Sequence, residues 1–348
     1  MAAPGFEHVI IDEGGPRDPH AKAAGDLNGD GRDEFVAASS AGGPLVWYDL
    51  ETLEKQEICS AGEWSCDAKV VDMDGDGAAD VLISEWYGRN EIEWFKNPGA
   101  GADAGPWERH VIGPPRAHDI CIGDLDFDGQ REIVTRDQGE QGDSIRVYKR
   151  VGEGWEQRVI PCPAGEGLAI GDVAGNARLD IVIGGLWYEA PDDILGGEWA
   201  EHVLADWPGD AVVRVANMSG NGRRDVVMTR SEGPHRVSWF EAPRDPRRAG
   251  WPEHVVGDGV DFAHSLVVCD LTGDGTLDVV TAEMHQSERR RVLVYLNRGD
   301  SLSWERHVLA ETGSHNVCVA DLAGRGKAIV GANWSGPHQP VEMWLVRP

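Results

Sequence analysis

The sequence predicts an all-β chain: a seven-bladed β-propeller built from four-stranded blades. Three observations carry that prediction. First, a short apolar strand, an Asp-rich turn and a second apolar strand recur seven times, as AAGDLNGDGRDEFVAAS, AKVVDMDGDGAADVLIS, CIGDLDFDGQREIVTRD, LAIGDVAGNARLDIVIG, VRVANMSGNGRRDVVMT, VVCDLTGDGTLDVVTAE and VCVADLAGRGKAIVGAN. The turns begin at Asp26, Asp72, Asp124, Asp172, Asn217, Asp270 and Asp321. They recur about every fifty residues, a period that fits one propeller blade per repeat. Second, a strand of the type WERHVI follows each turn at a distance. Third, the two chain ends complement each other.

The elements follow in order. Each blade runs inner strand, Asp turn, second strand, loop, third strand, turn, outer strand. Third strands read PLVWY, EIEWF and RVSWF. Outer strands read WERHVI at 107–112, WEQRVI at 155–160, WAEHVL at 199–204, WPEHVV at 251–256 and WERHVL at 304–309, with a degraded copy, EKQEIC, at 54–59. Their residues alternate as strand residues should. The last blade lacks an outer strand, while the N-terminus has a spare one, FEHVI at 6–10. The spare strand is expected to close the ring beside 341–346, which removes the free sheet edges. No blade buries both faces alone, so residues 1–348 are read as one domain. Its inner strands start near 20, 66, 118, 166, 211, 264 and 315.

Composition bounds the function. The net charge of −28 argues against nucleic acid and anionic membranes, because phosphate binding needs a basic surface. An apolar content of 41% suits a globular chain, and no segment has the apolar run of a membrane span. The N-terminus, MAAPGFEHVI, has neither the basic start nor the apolar core of a signal peptide. The expected location is therefore cytoplasmic, or secreted with a leader removed. The six cysteines form no disulfide framework. Cys121, Cys269 and Cys318 fall on inner strands as small core residues, and Cys59 and Cys66 are read as free thiols.

The turns carry oxygen ligands at positions 1, 3, 5 and 9, with Gly at position 6, a pattern that converges on a hard cation. Asp72, Asp74, Asp76 and Asp80 fit it fully. Asp124, Asp126, Asp128 and Glu132 fit well, as do Asp26, Asn28, Asp30 and Glu34. Asp270, Asp274 and Asp278 fit with Thr272 at position 3. The expected ion is Ca2+ in a structural role; the alternative is an Asx-type turn closed on its own backbone. The fourth and fifth copies are weak. The seventh has Arg325 and Ile329 at ligand positions and is read as metal-free.

These repeated turns resemble the FG-GAP/VCBS repeat family of propellers. The resemblance covers the whole chain and implies the propeller fold. The family spans adhesion modules, lectins, polysaccharide lyases and sugar dehydratases, so it implies no single activity. Within it, the chain is similar to the propeller portion of the aldos-2-ulose dehydratases, which convert 1,5-anhydro-D-fructose-type sugars.

The twelve histidines divide in two. His8, His110, His202, His254 and His307 belong to the outer-strand repeat and are read as structural. His20, His118, His264 and His315 each lie six residues before the turn residue of their blade, at the rim of the central channel. His235, His285 and His338 lie in second-to-third loops. Antiparallel connectivity places all seven on the face opposite the Asp turns. His20, His264 and His315 come from consecutive blades and are the expected ligands of a divalent transition metal, with Zn2+ the first choice. His118 and Glu166 are the acid/base candidates, and Arg89 is a third catalytic candidate. Trp86, Tyr87, Glu85, Asp137, His285, His338 and Trp334 offer a sugar both apolar faces and polar edges.

The leading reading is a carbohydrate-active lyase or dehydratase that uses metal-assisted β-elimination on a keto-, anhydro- or uronate-type sugar. Its partner would be a carbohydrate small molecule or oligosaccharide. The alternative is a non-catalytic lectin-like or protein-interaction propeller. Oligomeric state is left open.

Overall fold

A computed structural model describes residues 4–99, 106–137 and 144–347. Seven four-stranded antiparallel sheets form the ring, each ordered from inner to outer strand. The inner strands are Pro19–Gly25, Trp64–Val71, Asp119–Gly123, Ala169–Gly171, Ala211–Ala216, Leu266–Cys269 and His315–Asp321. They begin within three residues of the expected starts. The largest offset is in blade four, where Glu166 precedes its strand and makes an isolated bridge with Asp210 instead. No helix occurs among the described residues, and hence none long and apolar enough to cross a membrane.

The ring closes as the chain ends require. The strand Gly5–Asp12 pairs antiparallel with Val341–Arg347, placing Phe6 opposite Val346 and Ile10 opposite Glu342. The last blade thus takes its outer strand from the N-terminus.

The core lies between blades, not within them. Val36 and Leu45 of blade one pack with Val81 and Phe95 of blade two, and the same face-to-face contact repeats around the ring. Trp64, Trp187 and Trp344 are fully buried at these seams. Near the axis the inner strands crowd together, and small residues admit the neighbour. A Cβ on Gly25 would sit 2.5 Å from Val70, and one on Gly171 would sit 2.5 Å from Val215. The outer-strand histidines are structural. His8, His110, His202 and His254 stack on Trp344, Trp94, Trp187 and Trp239, and in each pair the two residues lie directly opposite in the sheet. All six cysteines are free.

Candidate functional site

Each inner strand runs from the axial mouth at one face to an Asp turn at the other. His20 and His315 lie at the start of their strands, while His118 precedes its strand by one residue and His264 by two. Chain direction alone therefore brings these imidazoles to one end of the disc. There they meet as a continuous chain of rings: His20 to His315 at 4.6 Å, His315 stacked on His264 at 4.3 Å, and His264 to His118 at 5.4 Å.

Glu166 sits at the centre of the group. Its Oε2 lies 3.0 Å from His118 Nε2, and its Oε1 lies 3.3 Å from His264 Nε2. The three residues come from blades three, four and six, so the carboxylate links rings across the bore. The second nitrogen of each ring is also engaged: His118 Nδ1 with Asp119 Oδ2 at 3.0 Å, and His264 Nδ1 with Asn316 Oδ1 at 3.3 Å. Such outer contacts fix ring orientation and aim Nε2 at the shared centre. Buried Arg136 anchors the glutamate from behind by donating to the carbonyls of Glu166 and Gly167.

Electrostatics divide the four rings. Burial opposes charge on His118, but Cys66, Glu166 and Asp119 overcome it and hold the ring well above the usual histidine range. His264 is raised against its burial by Glu166. Glu166 is held well below the carboxylate range, because the two rings outweigh its desolvation. His20 and His315 lie well below the histidine range through burial, reinforced by Lys22 and His264 respectively. Two imidazoles with raised and two with lowered proton affinity thus share one mouth. His315 Nδ1 is buried without a hydrogen-bond partner, whereas His20 Nδ1 meets Ser65 Oγ at 2.5 Å.

The expected metal set and the observed convergence differ. Among the described residues, the ligand atoms that approach one another at this mouth are those of His118, Glu166 and His264. His20 and His315 join the group through ring contacts, His20 tilted against His315 and His315 stacked on His264. Consecutive blades do not give convergence here; the carboxylate in the bore does. Two imidazole nitrogens and a carboxylate oxygen form a donor set that suits a divalent transition metal.

Other expected site residues separate. Trp86 stands edge-on to His118 at 6.1 Å, with the Arg116 guanidinium 4.1 Å from its ring. Trp334 stacks on His20 at 4.6 Å, and His285 meets its edge. Tyr87 is half exposed at the mouth; partial burial and the nearby Cys66 push its phenol up, against a hydrogen bond with Ser65. Arg89 is not in this group. Its guanidinium is committed to Glu93, at 2.9 and 2.6 Å, in an ion cluster that Arg109 shares. Glu85 closes its own loop onto the Arg89 amide. Asp137 is buried opposite Ser144 at the end of its strand, and His338 binds Glu342 at 3.2 Å beside the closing strand. Sequence reasoning missed Asp119 and Asn316, although each directly follows one of the four histidines. It also missed Ser65 and Arg116.

At the opposite face, every turn residue at position 9 from blade one to blade six accepts a backbone N–H of its own turn: Glu34, Asp80, Glu132, Asp180, Asp225 and Asp278. Asp72, Asp74 and Asp80 converge, as do Asp124, Asp126 and Glu132. In blades one and six, Asp26 and Asp270 cap three backbone N–H groups each. Burial raises Glu34 and Glu132 to about 7, a cost that a bound cation would offset. In blades two and three an internal cation already approaches: Lys96 Nζ lies 3.0 Å from Asp76, and Lys149 Nζ lies 2.7 Å from Asp128.

Comparison with known proteins bears on the fold. The sequence pattern described as FG-GAP-like repeat matches residues 26–83, 72–135 and 217–281, spans that together take in just over half of the chain. No curated protein matches this sequence. Among solved structures, BBS1N in complex with ARL6DN superposes with a TM-score of 0.61 at 12% identity, over 97% of this chain and 94% of that one. The exotype rhamnogalacturonan lyase YesX superposes at 0.53 and 14% identity, over 99% and 74%. The Photorhabdus luminescens Tc holotoxin pore gives 0.42 and 15% identity, and this chain, 90% covered, spans only 16% of its length. At these identities the likenesses concern the propeller fold.

Proposed function

This chain belongs to the family of FG-GAP-like repeat proteins, and on that premise we propose that it is a carbon–oxygen lyase acting on a saccharide at the axial histidine mouth. The observation that carries the reading is the Glu166 carboxylate held between His118 and His264 from across the bore. Perturbed titratable groups gathered in a concave site point to function.

His118, Glu166 and His264 would hold a divalent metal, with the two rings giving up their protons on binding. When bound, such a cation supplies Lewis acidity to a carbonyl or enolate oxygen next to the reacting carbon. The remaining steps belong to the chain. His315, kept neutral and with Nδ1 unpartnered, takes the proton from the carbon beside that carbonyl. The C–O bond at the next carbon breaks as the C=C bond forms. Tyr87, at the mouth beside Ser65, returns a proton to the leaving oxygen. Trp86 and Trp334 flank the rings and give the sugar apolar faces to lie on.

A rhamnogalacturonan lyase is found among propellers of this fold, which is in keeping with this reading. The Asp turns of blades one, two, three and six are proposed as structural Ca2+ sites. The test is incubation of the metal-loaded protein with 2-keto sugars, 1,5-anhydro sugars and uronate polysaccharides, read as absorbance of the unsaturated product. Turnover that His315→Ala abolishes supports the reading. Saccharide binding without turnover replaces it with a lectin-like function.

A further inference from the structure

Below the histidine mouth, the axial channel continues as a cavity of about 590 Å3 lined by all seven inner strands. Its wall carries Lys69 and Arg214, from blades two and five. Both residues line the same cavity, from different sides of the ring. For a chain of net charge −28, cations gathered on the wall of one axial cavity call for a cause.

The nearby acids do not provide it. Asp67 is saturated, with both oxygens 2.6 Å from Lys69 Nζ and Oδ2 also accepting the Ile120 amide. Asp119 is committed to His118 and to the Gly167 amide. Arg214 donates to the carbonyl of Val213 at 2.7 Å, and among the described residues no carboxylate pairs with it. A guanidinium left with free donors in a narrow cavity is built for a planar oxyanion.

We infer that the waist of the channel is an anion site, in which Arg214, helped by Lys69, seats the oxyanion of a ligand. The chemistry suits the carboxylate of an acidic sugar or a free inorganic oxyanion. The inference rests on the saccharide reading for the carrier of the charge and on the channel alone for the charge.

Calorimetric titration of the full chain at low ionic strength tests it, with galacturonate, galactose and sulfate as probes. Galacturonate and sulfate are expected to bind in competition and to weaken with added salt, while galactose leaves sulfate binding unchanged. Arg214→Gln should weaken sulfate about ten- to a hundredfold, the loss expected of a charged hydrogen bond, and Arg214→Lys should recover part of it. Galacturonate binding far more tightly than sulfate identifies an acidic sugar as the source; equal affinities identify a free anion. A wild-type protein that binds neither anion, or an Arg214→Gln variant that binds sulfate unchanged, overturns the site. The His315→Ala variant, in which a ring outside the cavity lining is removed, should keep sulfate binding, so failure of the lyase reading and failure of the anion site are told apart.

Discussion

His118 and Glu166 come from neighbouring blades, and their Nε2 and Oε2 atoms lie 3.0 Å apart with both side chains buried. The pair places a negative charge at the centre of a ring of imidazoles. Glu166→Gln removes that charge while keeping the side chain's shape. In the metal-free protein, His118 should then lose its raised affinity for a proton. Histidine ring signals followed by NMR against pH should show His118 titrating above the usual range in the wild type and lower in the variant. Unchanged titration would mean that Asp119 and Cys66 alone hold the proton.

Calcium removal is expected to lower the melting temperature, because ligand bound only to the native state stabilises it by mass action. Blade three carries an added feature: Lys149 Nζ lies 2.7 Å from Asp128 and 3.5 Å from Glu132. Lys149→Met removes this competing cation. Its calcium affinity should rise about tenfold, equivalent to about 1.4 kcal/mol. Titration calorimetry that finds equal or weaker binding would show that the lysine does not compete.

Asp180 gives a pH dependence of definite sign. Burial raises its carboxyl from 3.8 to about 6, against three backbone N–H donors that favour the charged form. The folded state therefore binds the proton more tightly than the unfolded chain. The associated stability is full below pH 3.8 and is lost as pH rises through about 6. The loss is at most about 3 kcal/mol. Denaturant melts of wild type and Asp180→Asn between pH 4 and 7 should show a smaller slope against pH in the variant. Equal slopes would assign the dependence to other groups.

Ring closure is testable by truncation. Removing the strand Gly5–Asp12 exposes the edge of Val341–Arg347 and uncovers Trp344, on which His8 stacks. The truncated chain should melt at lower temperature and associate through the free edge. Scattering and calorimetry on the purified variant check both. A monomer with an unchanged melt would mean that the last blade is complete with three strands.

Much of this was legible in the sequence, for a physical reason. A repeat of fixed period states the blade, and strand direction then sorts residues between the two faces. His20, His118, His264 and His315 were found that way, and so was the closing strand 6–10. What the sequence hides is distance across the bore. Glu166 lies outside regular strand pairing, and no spacing rule joins blade four to blade six. The reading by consecutive blades chose His20, His264 and His315, whereas the donor atoms that lie together come from blades three, four and six. The spacing that placed Arg89 on this face could not show its ion pairs with three glutamates of its own blade.

The most direct test is metal content by mass spectrometry after chelation and reconstitution with zinc, in wild type and in the His118→Ala/His264→Ala variant. One zinc per chain in the wild type, and none in the variant, is the predicted result. Equal zinc in both proteins would contradict a centre built on His118, Glu166 and His264.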